Sequence, residues 1–277
     1  RQMVYDLAMN DVAEKFWLES ESAELYEKYL VPGWFNALTA ITMDYVGDLK
    51  GKSVLDIATG TGIVPRFAAK KIGKNGKIVG IDINKGMLAV AAHLSIPHTE
   101  LLFGDATKLE FDDELFDVVT CSQGFQFFPD RPAAAKEMYR VLKPGGRAVL
   151  ATWSSLPENP AHEILVAMIE KYYGVEASQF LQPPFAYTDK ISMHDTFESA
   201  GFKNVHVKTH GITSSFMNPM DFVTAMVGAT PAAMAVKPES KEYPAFSKEI
   251  ASTLKEKYTH GKGIKFPMHS TFIVADK

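Results

Sequence analysis

The first fifty residues carry apolar side chains at helical spacing. Val12 and Phe16 recur within 11–17, and Leu25 and Tyr29 within 22–30. The pair Pro32-Gly33 predicts a break, after which Trp34, Leu38, Ile41, Met43 and Val46 mark a third helix. From residue 51 the rhythm changes, and short β-rich runs alternate with helical stretches. Strands are predicted at 53–57 (SVLDI), 77–83 (KIVGIDI), 100–103, 116–121 (FDVVTC) and 147–153, with helices at 63–72, 85–94 and 133–141. The strands are almost continuously apolar, which marks a parallel sheet covered on both faces. After 154 the alternation loosens. A helix at 161–173, a loop with Pro183-Pro184, a helix at 189–200 ending at Gly201 and a strand at 204–212 follow. Two or three Met- and Ala-rich helices then fill 213–262, before a final strand at 270–275. Helices inserted at the carboxyl edge of such a sheet would lie over its binding crevice.

The first predicted strand runs straight into a glycine turn and a helix: Val54-Leu55-Asp56-Ile57-Ala58-Thr59-Gly60-Thr61-Gly62. In a doubly wound sheet this crossover is where a nucleotide-like ligand sits. Two chemistries compete for it. A dinucleotide site would carry a third glycine three residues after Gly62, where this chain has Pro65. Asp56 at the strand end would repel a diphosphate but could accept hydrogen bonds from an ammonium group. Asp82, at the end of the second strand, is placed to accept from both hydroxyls of a ribose. Asp105 in Gly104-Asp105-Ala106 follows the third strand and could accept from an adenine amino group. One acid at a strand end is ordinarily a cap. Three after successive parallel strands point to a ligand site.

Five stretches carry a family resemblance: VLDIATGTG (54–62), GIDINKGML (80–88), GDA (104–106), FDVVTCSQGFQFFPD (116–130) and LKPGGRAVLATW (142–153). In them the chain resembles the class I S-adenosylmethionine-dependent methyltransferases, in particular the type 11 small-molecule group that includes the ubiquinone and menaquinone C-methyltransferases. The resemblance covers about residues 50–153, with Ala58 where a first glycine is usual. It implies an α/β fold, a Rossmann-like doubly wound sheet of seven strands. The last strand would be antiparallel, beside the strand at 204–212, and helical caps would be inserted. It also implies S-adenosylmethionine as cofactor and S-adenosylhomocysteine as product. Asp56, Ala58, Thr59, Gly60, Thr61 and Gly62 would then face the methionine part. Asp82 would bind the ribose, and Ile83 would flank the adenine. Gly104, Asp105 and Ala106 would meet the adenine edge, and Ser122 and Gln123 the methionine end. Met87 would pack on adenine, although a Met at helical spacing is more often core. The whole chain, 1–277, is read as one domain: an N-terminal helical lid at 1–50, a cofactor core at 51–153, and caps at 154–188 and 213–262.

The acceptor side is written less clearly. The stretch 121–130 lacks the Asn/Asp-Pro-Pro-Tyr/Phe motif of enzymes that methylate nucleobase or glutamine amino groups. Gln126 can orient a substrate oxygen but cannot act as a base near neutral pH, and a loop hydrogen bond is its alternative role. Phe127 and Trp153 are candidates for the acceptor pocket. Met217, Met220, Phe222, Met226 and Met234 would line a cap suited to an apolar or aromatic acceptor, or would only glue that cap to the sheet. Among the eight histidines, His210, His260 and His269 are weak candidates for a general base. No pair shows metal-ligand spacing on a helix with an acidic cluster beside it, so no metal site is expected. Tyr26, Lys28 and Tyr29 are placed to close over a cofactor, or simply to pack.

Composition narrows the remaining choices. Lys+Arg 29 against Asp+Glu 33 gives a net charge of −4, which argues with the missing motif against a nucleic-acid partner. A single cysteine, Cys121, cannot form an intramolecular disulfide, so a reducing, cytoplasmic setting fits. No stretch approaches the ~18 uninterrupted apolar residues of a membrane helix. The chain begins at Arg1 rather than Met, so its start is read as trimmed. The expected partner is a small methyl acceptor, with the protein a monomer or homodimer. Two rival functions remain: a nicotinamide-dependent oxidoreductase, opposed by Pro65 and the acids at 56 and 105, and a cofactor-bound module without turnover.

Overall fold

Five parallel strands carry the first half of the chain: β1 (Ser53–Ile57), β2 (Lys77–Asp82), β3 (Thr99–Phe103), β4 (Phe116–Ser122) and β5 (Leu142–Trp153). The structure is a computed structural model that describes residues 20–277, so the helix expected at 11–17 lies outside the described residues. β6 (Lys203–Phe216), the two-residue β7 (Thr259–His260) and β8 (Gly263–Asp276) complete one sheet in the order β3-β2-β1-β4-β5-β8-β6, with β7 on β8. β8 runs antiparallel to both β5 and β6, as the family resemblance implies.

Alternation along each strand sorts the side chains between two cores. Val54, Val118, Val149, Ala151 and Trp153 point to the first. The helices α2 (Asn36–Val46), α3 (Ile63–Ala69), α6 (Pro160–Tyr173), α9 (Pro219–Ala229) and α11 (Tyr243–Tyr258) cover it. Leu55, Ile57, Val119, Cys121 and Leu150 point to the second, which α5 (Arg131–Val141) and α8 (Lys190–Ser199) cover. Both faces are therefore dry, which is why the strands read as unbroken apolar runs.

Two expectations change. Pro32-Gly33 does not break the N-terminal helix. The chain runs from α1 (Ser20–Leu25) through a π-helical segment (Tyr26–Phe35) directly into α2. Proline lacks an N–H and its ring clashes with the carbonyl four residues back. The wider π turn avoids that clash, and the Asn36 N–H reaches the Val31 carbonyl five residues back. The strands expected at 204–212 and 270–275 are also longer. Their pairing continues from Ile212↔Met268 to Phe216↔Ile264, past the end of β5, where Trp153 pairs with Ser270. Ile212, Ser214 and Phe216 stay buried while Thr213 and Ser215 face solvent, a period-2 pattern hidden by its polar members. The ribbon extends about 20 Å beyond β5 at ~3.3 Å per residue, on the side where the parallel strands end. Residues 213–216 and 259–262 thus belong to strands and their turn, and the helices between them are α9, α10 (Ala232–Ala235) and α11. Among the described residues no helix is long and apolar enough to cross a membrane.

Phe197 on α8 is fully buried and touches Phe125 and Phe202 at ring-centre distances of 5.3 and 5.4 Å. Phe197→Ala is expected to cost about 3–5 kcal/mol in urea unfolding. A loss below ~1 kcal/mol would contradict the packing of this second core.

Candidate functional site

The strand order turns outward in opposite directions from β1 and β4, so their carboxyl ends open a crevice. Asp56 lies there, 1% exposed, on the first-core face. The Thr120 hydroxyl on β4 donates to its carboxylate at 2.6 Å. Burial raises the Asp56 carboxyl from 3.8 to about 7, a rise that the Thr120 bond offsets only in part. Thr120 had no assigned role in the sequence. Its signal was a lone hydroxyl inside the apolar run Val118–Cys121.

The loop after β1 is held by its own backbone. Gly62 takes φ +81°, and a Cβ there would lie 2.4 Å from the Ile96 side chain, so glycine is required. Ala58 also sits in the left-handed region, at φ 54°. Its methyl group occupies the space next to Gly124, where an added Cβ would lie only 2.4 Å from the Ala58 Cβ. The Ala at 58 is thus accommodated by a glycine across the crevice. Asp82 accepts from the Gly60 N–H and the Asn84 N–H, both at 2.8 Å, so it ties the loop to the end of β2. Burial raises its pKa too. From above, α1 packs on α4 (Lys85–His93), and Glu27 of the π segment pairs with Arg66 at 2.7 Å. Burial first, then the carboxylates of Asp82, Glu27 and Asp56, push the Tyr26 hydroxyl well above its ordinary value.

Around the crevice several buried polar atoms have no partner among the described residues. They include the hydroxyls of Thr61 and Ser122 and the amide oxygen of Gln126. Such orphans cost about 1–3 kcal/mol each unless a ligand meets them. Gln123 sits in the strained left-handed region at φ 60° and donates to the Ser270 hydroxyl at 3.0 Å. Gln126 in turn donates to the Gln123 side-chain oxygen at 3.0 Å. This chain fixes the Gln126 amide and leaves its own oxygen free of protein partners among the described residues.

The other predicted residues are distributed unevenly. Ile83 is 65% exposed at the crevice rim, whereas Met87 and Ala106 are buried. Asp105, after Gly104, is exposed, and Thr107 satisfies it through its N–H and hydroxyl, both at 2.8 Å, so it is aimed into its own turn. Trp153 is buried on the same face as Asp56 and Ser122, but Phe127 is half-exposed. The three histidines have structural surroundings. His210 bonds the Tyr45 hydroxyl at 2.6 Å, the His269 ring contacts the Glu158 carbonyl at 2.7 Å, and His260 is exposed in the β7–β8 turn. His194 lies on α8. With Asp195 and Glu198 it places ligand-capable atoms within 4.8 Å of one another on α8, because residues 194 and 198 are one turn apart. Cys121 is buried on the second face, and burial raises its thiol pKa, which disfavours the thiolate.

An acid-bearing glycine loop at the switch point, a second acid at the end of β2 and orphaned polar atoms around them fit the class I S-adenosylmethionine-dependent methyltransferases, and the comparisons with known proteins show that class. The chain belongs to the ubiE/COQ5 methyltransferase family, whose model matches residues 33–218. It is 35% identical over 180 residues to a demethylmenaquinone methyltransferase of Staphylococcus aureus (strain JH9), covering 60% of this chain and 74% of that one. Its fold is similar to phosphoethanolamine N-methyltransferase 2 of Haemonchus contortus in complex with S-adenosyl-L-methionine: TM-score 0.59, 19% identity, 94% of this chain and 57% of that one. The YcgJ protein of Bacillus subtilis is similar too, with TM-score 0.56, 19% identity, 88% of this chain and 98% of that one.

The Ala58–Gly124 contact gives a double-mutant test. Gly124→Ala alone is expected to lower stability by about 1–3 kcal/mol through overpacking. In an Ala58→Gly background the same change should cost much less, because the opposing methyl is gone. Equal costs in both backgrounds would show that the two residues are uncoupled.

Proposed function

We propose that this enzyme methylates a small aromatic acceptor of the quinol class, and that its crevice residues divide the work by face. One observation carries the reading. Asp56, Thr120 and Ser122 lie on one sheet face in a line that leads to Trp153, at the end of the adjacent strand. In this reading Asp56 and the 58–62 loop hold the amino-acid end of the cofactor, and Asp82 takes the ribose. Ile83, Met87 and the 104–106 turn flank the adenine, while Ser122 and Gln123 face the sulfur end. When bound, S-adenosylmethionine would supply an electrophilic methyl group, its S–CH3 bonding pair staying with sulfur as an electron pair of the acceptor forms the new bond and the acceptor's proton passes to solvent. The protein's part is to align the two molecules and exclude water. Gln126, held by Gln123, orients an acceptor hydroxyl through its free amide oxygen and takes no proton. The name of the Staphylococcus aureus relative supports a quinone-derived ring, and the aromatic side chains about Trp153 support a planar one. Residues 20–50, the described part of the segment expected as a lid, act as that lid, for which the packing of α1 on α4 and the Glu27–Arg66 pair are the support, and the helices within 154–188 and 213–262 act as caps. The single buried cysteine supports a reducing, cytoplasmic setting.

The raised carboxyl of Asp56 gives this reading a proton signature. In the free protein it ionises at about 7, against 3.8 when unperturbed, so between those values the folded state binds the extra proton. Its contribution to stability therefore falls as pH rises through that window and levels off above it. A cofactor ammonium beside it reverses the preference and expels the proton. Calorimetry with S-adenosylhomocysteine at pH 6, in buffers of different ionisation enthalpy, is expected to show proton release, with affinity rising toward pH 8. Asp56→Asn should abolish the release and weaken binding by about tenfold or more, the scale of a lost charged hydrogen bond. Unchanged affinity and unchanged proton release in Asp56→Asn would sink the assignment. Transfer of labelled methyl to demethylmenaquinol then tests the acceptor class, and absence of transfer to any quinol or phenol would overturn it.

A further inference from the structure

The turn that follows β4 is held in a strained shape by contacts from β8, α5 and the segment before α8. Gln123 takes φ 60° and Ala58, across the crevice, takes φ 54°, with Gly124 close against the Ala58 methyl. Backbone in this region persists only where its surroundings over-determine it. On one side the Ser270 hydroxyl accepts from the Gln123 amide, and the Gln123 oxygen accepts from the Gln126 amide. On the other side Arg131, the first residue of α5, donates through its guanidinium to the Gln126 backbone carbonyl. The guanidinium carbon lies 4.6 Å from the centre of the Tyr187 ring, and that ring stands 5.8 Å from the Phe125 ring. Arg131 is an unusual cation. It sits in the first turn of a helix, where the macrodipole disfavours positive charge. Among the described residues no carboxylate forms an ion pair with it. The acids next to it and next to Tyr187, Asp130 and Asp189, cap the Ala133 and Ile191 amides instead. Its Nε is buried without a partner among the described residues. Stability alone does not account for a cation in this place, so the two contacts it does make carry the explanation.

We propose that Arg131 is a positioning residue for methyl transfer, clamping the 3-10 turn Phe125–Phe127 from behind so that the Gln126 amide keeps its place at the crevice. The inference rests on the methyl-transfer reading above and adds the residue that holds its acceptor-side turn. Arg131 acts through Gln126 and touches no reacting atom. A guanidinium suits this work. It is planar and lies over the Tyr187 ring, and its N–H groups point outward in a fixed fork, so one of them reaches the Gln126 carbonyl. A lysine ammonium lacks that plane and that fork. The clamp also has an opposite number. Ser270 on β8 holds Gln123 by its side chain while Arg131 holds Gln126 by its backbone, so the strained turn is gripped at both ends. Loss of one grip frees the turn to relax away from the Ala58 side of the crevice. In-line transfer is sensitive to such a shift, because a misplacement of about 1 Å costs up to about a hundredfold in rate.

The test is steady-state transfer of labelled methyl to demethylmenaquinol by the full chain, with wild type, Arg131→Met and Arg131→Ala side by side. Arg131→Met keeps an apolar stem on Tyr187 and loses the donor. Its kcat is expected to fall about tenfold or more, while acceptor KM and S-adenosylhomocysteine affinity each change less than about threefold. Ethylguanidinium added to Arg131→Ala should restore part of the lost kcat, and added to wild type it should change nothing. An unchanged kcat in Arg131→Met overturns the clamp and leaves the methyl-transfer reading standing. A kcat loss that equals the loss of folded protein by circular dichroism, or that ethylguanidinium does not relieve, overturns it as well. A wild-type chain that transfers methyl to no quinol or phenol overturns the acceptor reading, and deuterium exchange over 121–129 in the S-adenosylhomocysteine complex then decides the clamp. Exchange there is expected to be about tenfold faster in Arg131→Met than in wild type. Equal exchange would contradict the clamp.

Discussion

A carboxylate buried between two parallel strands is the constraint around which the crevice is built. Asp56 is held where the sheet order reverses, with a Thr120 hydroxyl as its side-chain donor. Burial favours the protonated form of Asp56, which lets the fold hold a carboxyl there. In the proposed reading the same burial favours a cationic ligand group, because an ammonium beside Asp56 offsets the desolvation of the carboxylate while a phosphate would worsen it. The backbone follows from this. In the loop that follows the acid, glycine at 62 answers a φ of +81° and the close approach of Ile96, and Ala58 lies against Gly124. Asp82 holds the loop from the other side through the Gly60 amide.

The sheet face then determines the direction of the chemistry. Side chains alternate, so Asp56, Thr120, Ser122 and Trp153 share a face while Leu55, Cys121 and Leu150 share the other. The first face is also the one under the π segment, α6 and α9, the elements that carry Trp34, His162 and Phe222. The β6–β8 ribbon rises past the end of β5 and carries these helices with it. In the proposed reading, strand geometry sets donor and acceptor regions side by side, and transfer depends on alignment more than on a strong base.

Much of this was legible in the residues. The buried strands, the glycine loop and the acids at 56, 82 and 105 stand in the chain as local signals, because parallel strands and their loops are short and their chemistry repeats. Asp105 shows the limit of such signals: its position was right, yet Thr107 turns it into its own loop. Non-local features were harder. Thr120 matters only because β4 lies beside β1, a pairing between residues 64 apart. Pro32-Gly33 read as a break because a π turn leaves no sequence signature distinct from an interrupted helix. The ribbon was cut short because Thr213 and Ser215 look like loop residues until pairing shows which face they occupy. Arg131 went unremarked, since what distinguishes it is the Tyr187 ring beneath its guanidinium, supplied by a segment far away in sequence.

The crystal structure of the chain with S-adenosylhomocysteine tests the central claim most directly, because the claim concerns which face of the sheet the sulfur addresses. The account predicts the ribose hydroxyls on Asp82, the amino-acid end at Asp56, and the sulfur directed along Ser122 toward Trp153 and Trp34. A sulfur directed to the opposite face, toward Phe125 and Phe197, or a ribose placed away from Asp82, would contradict it.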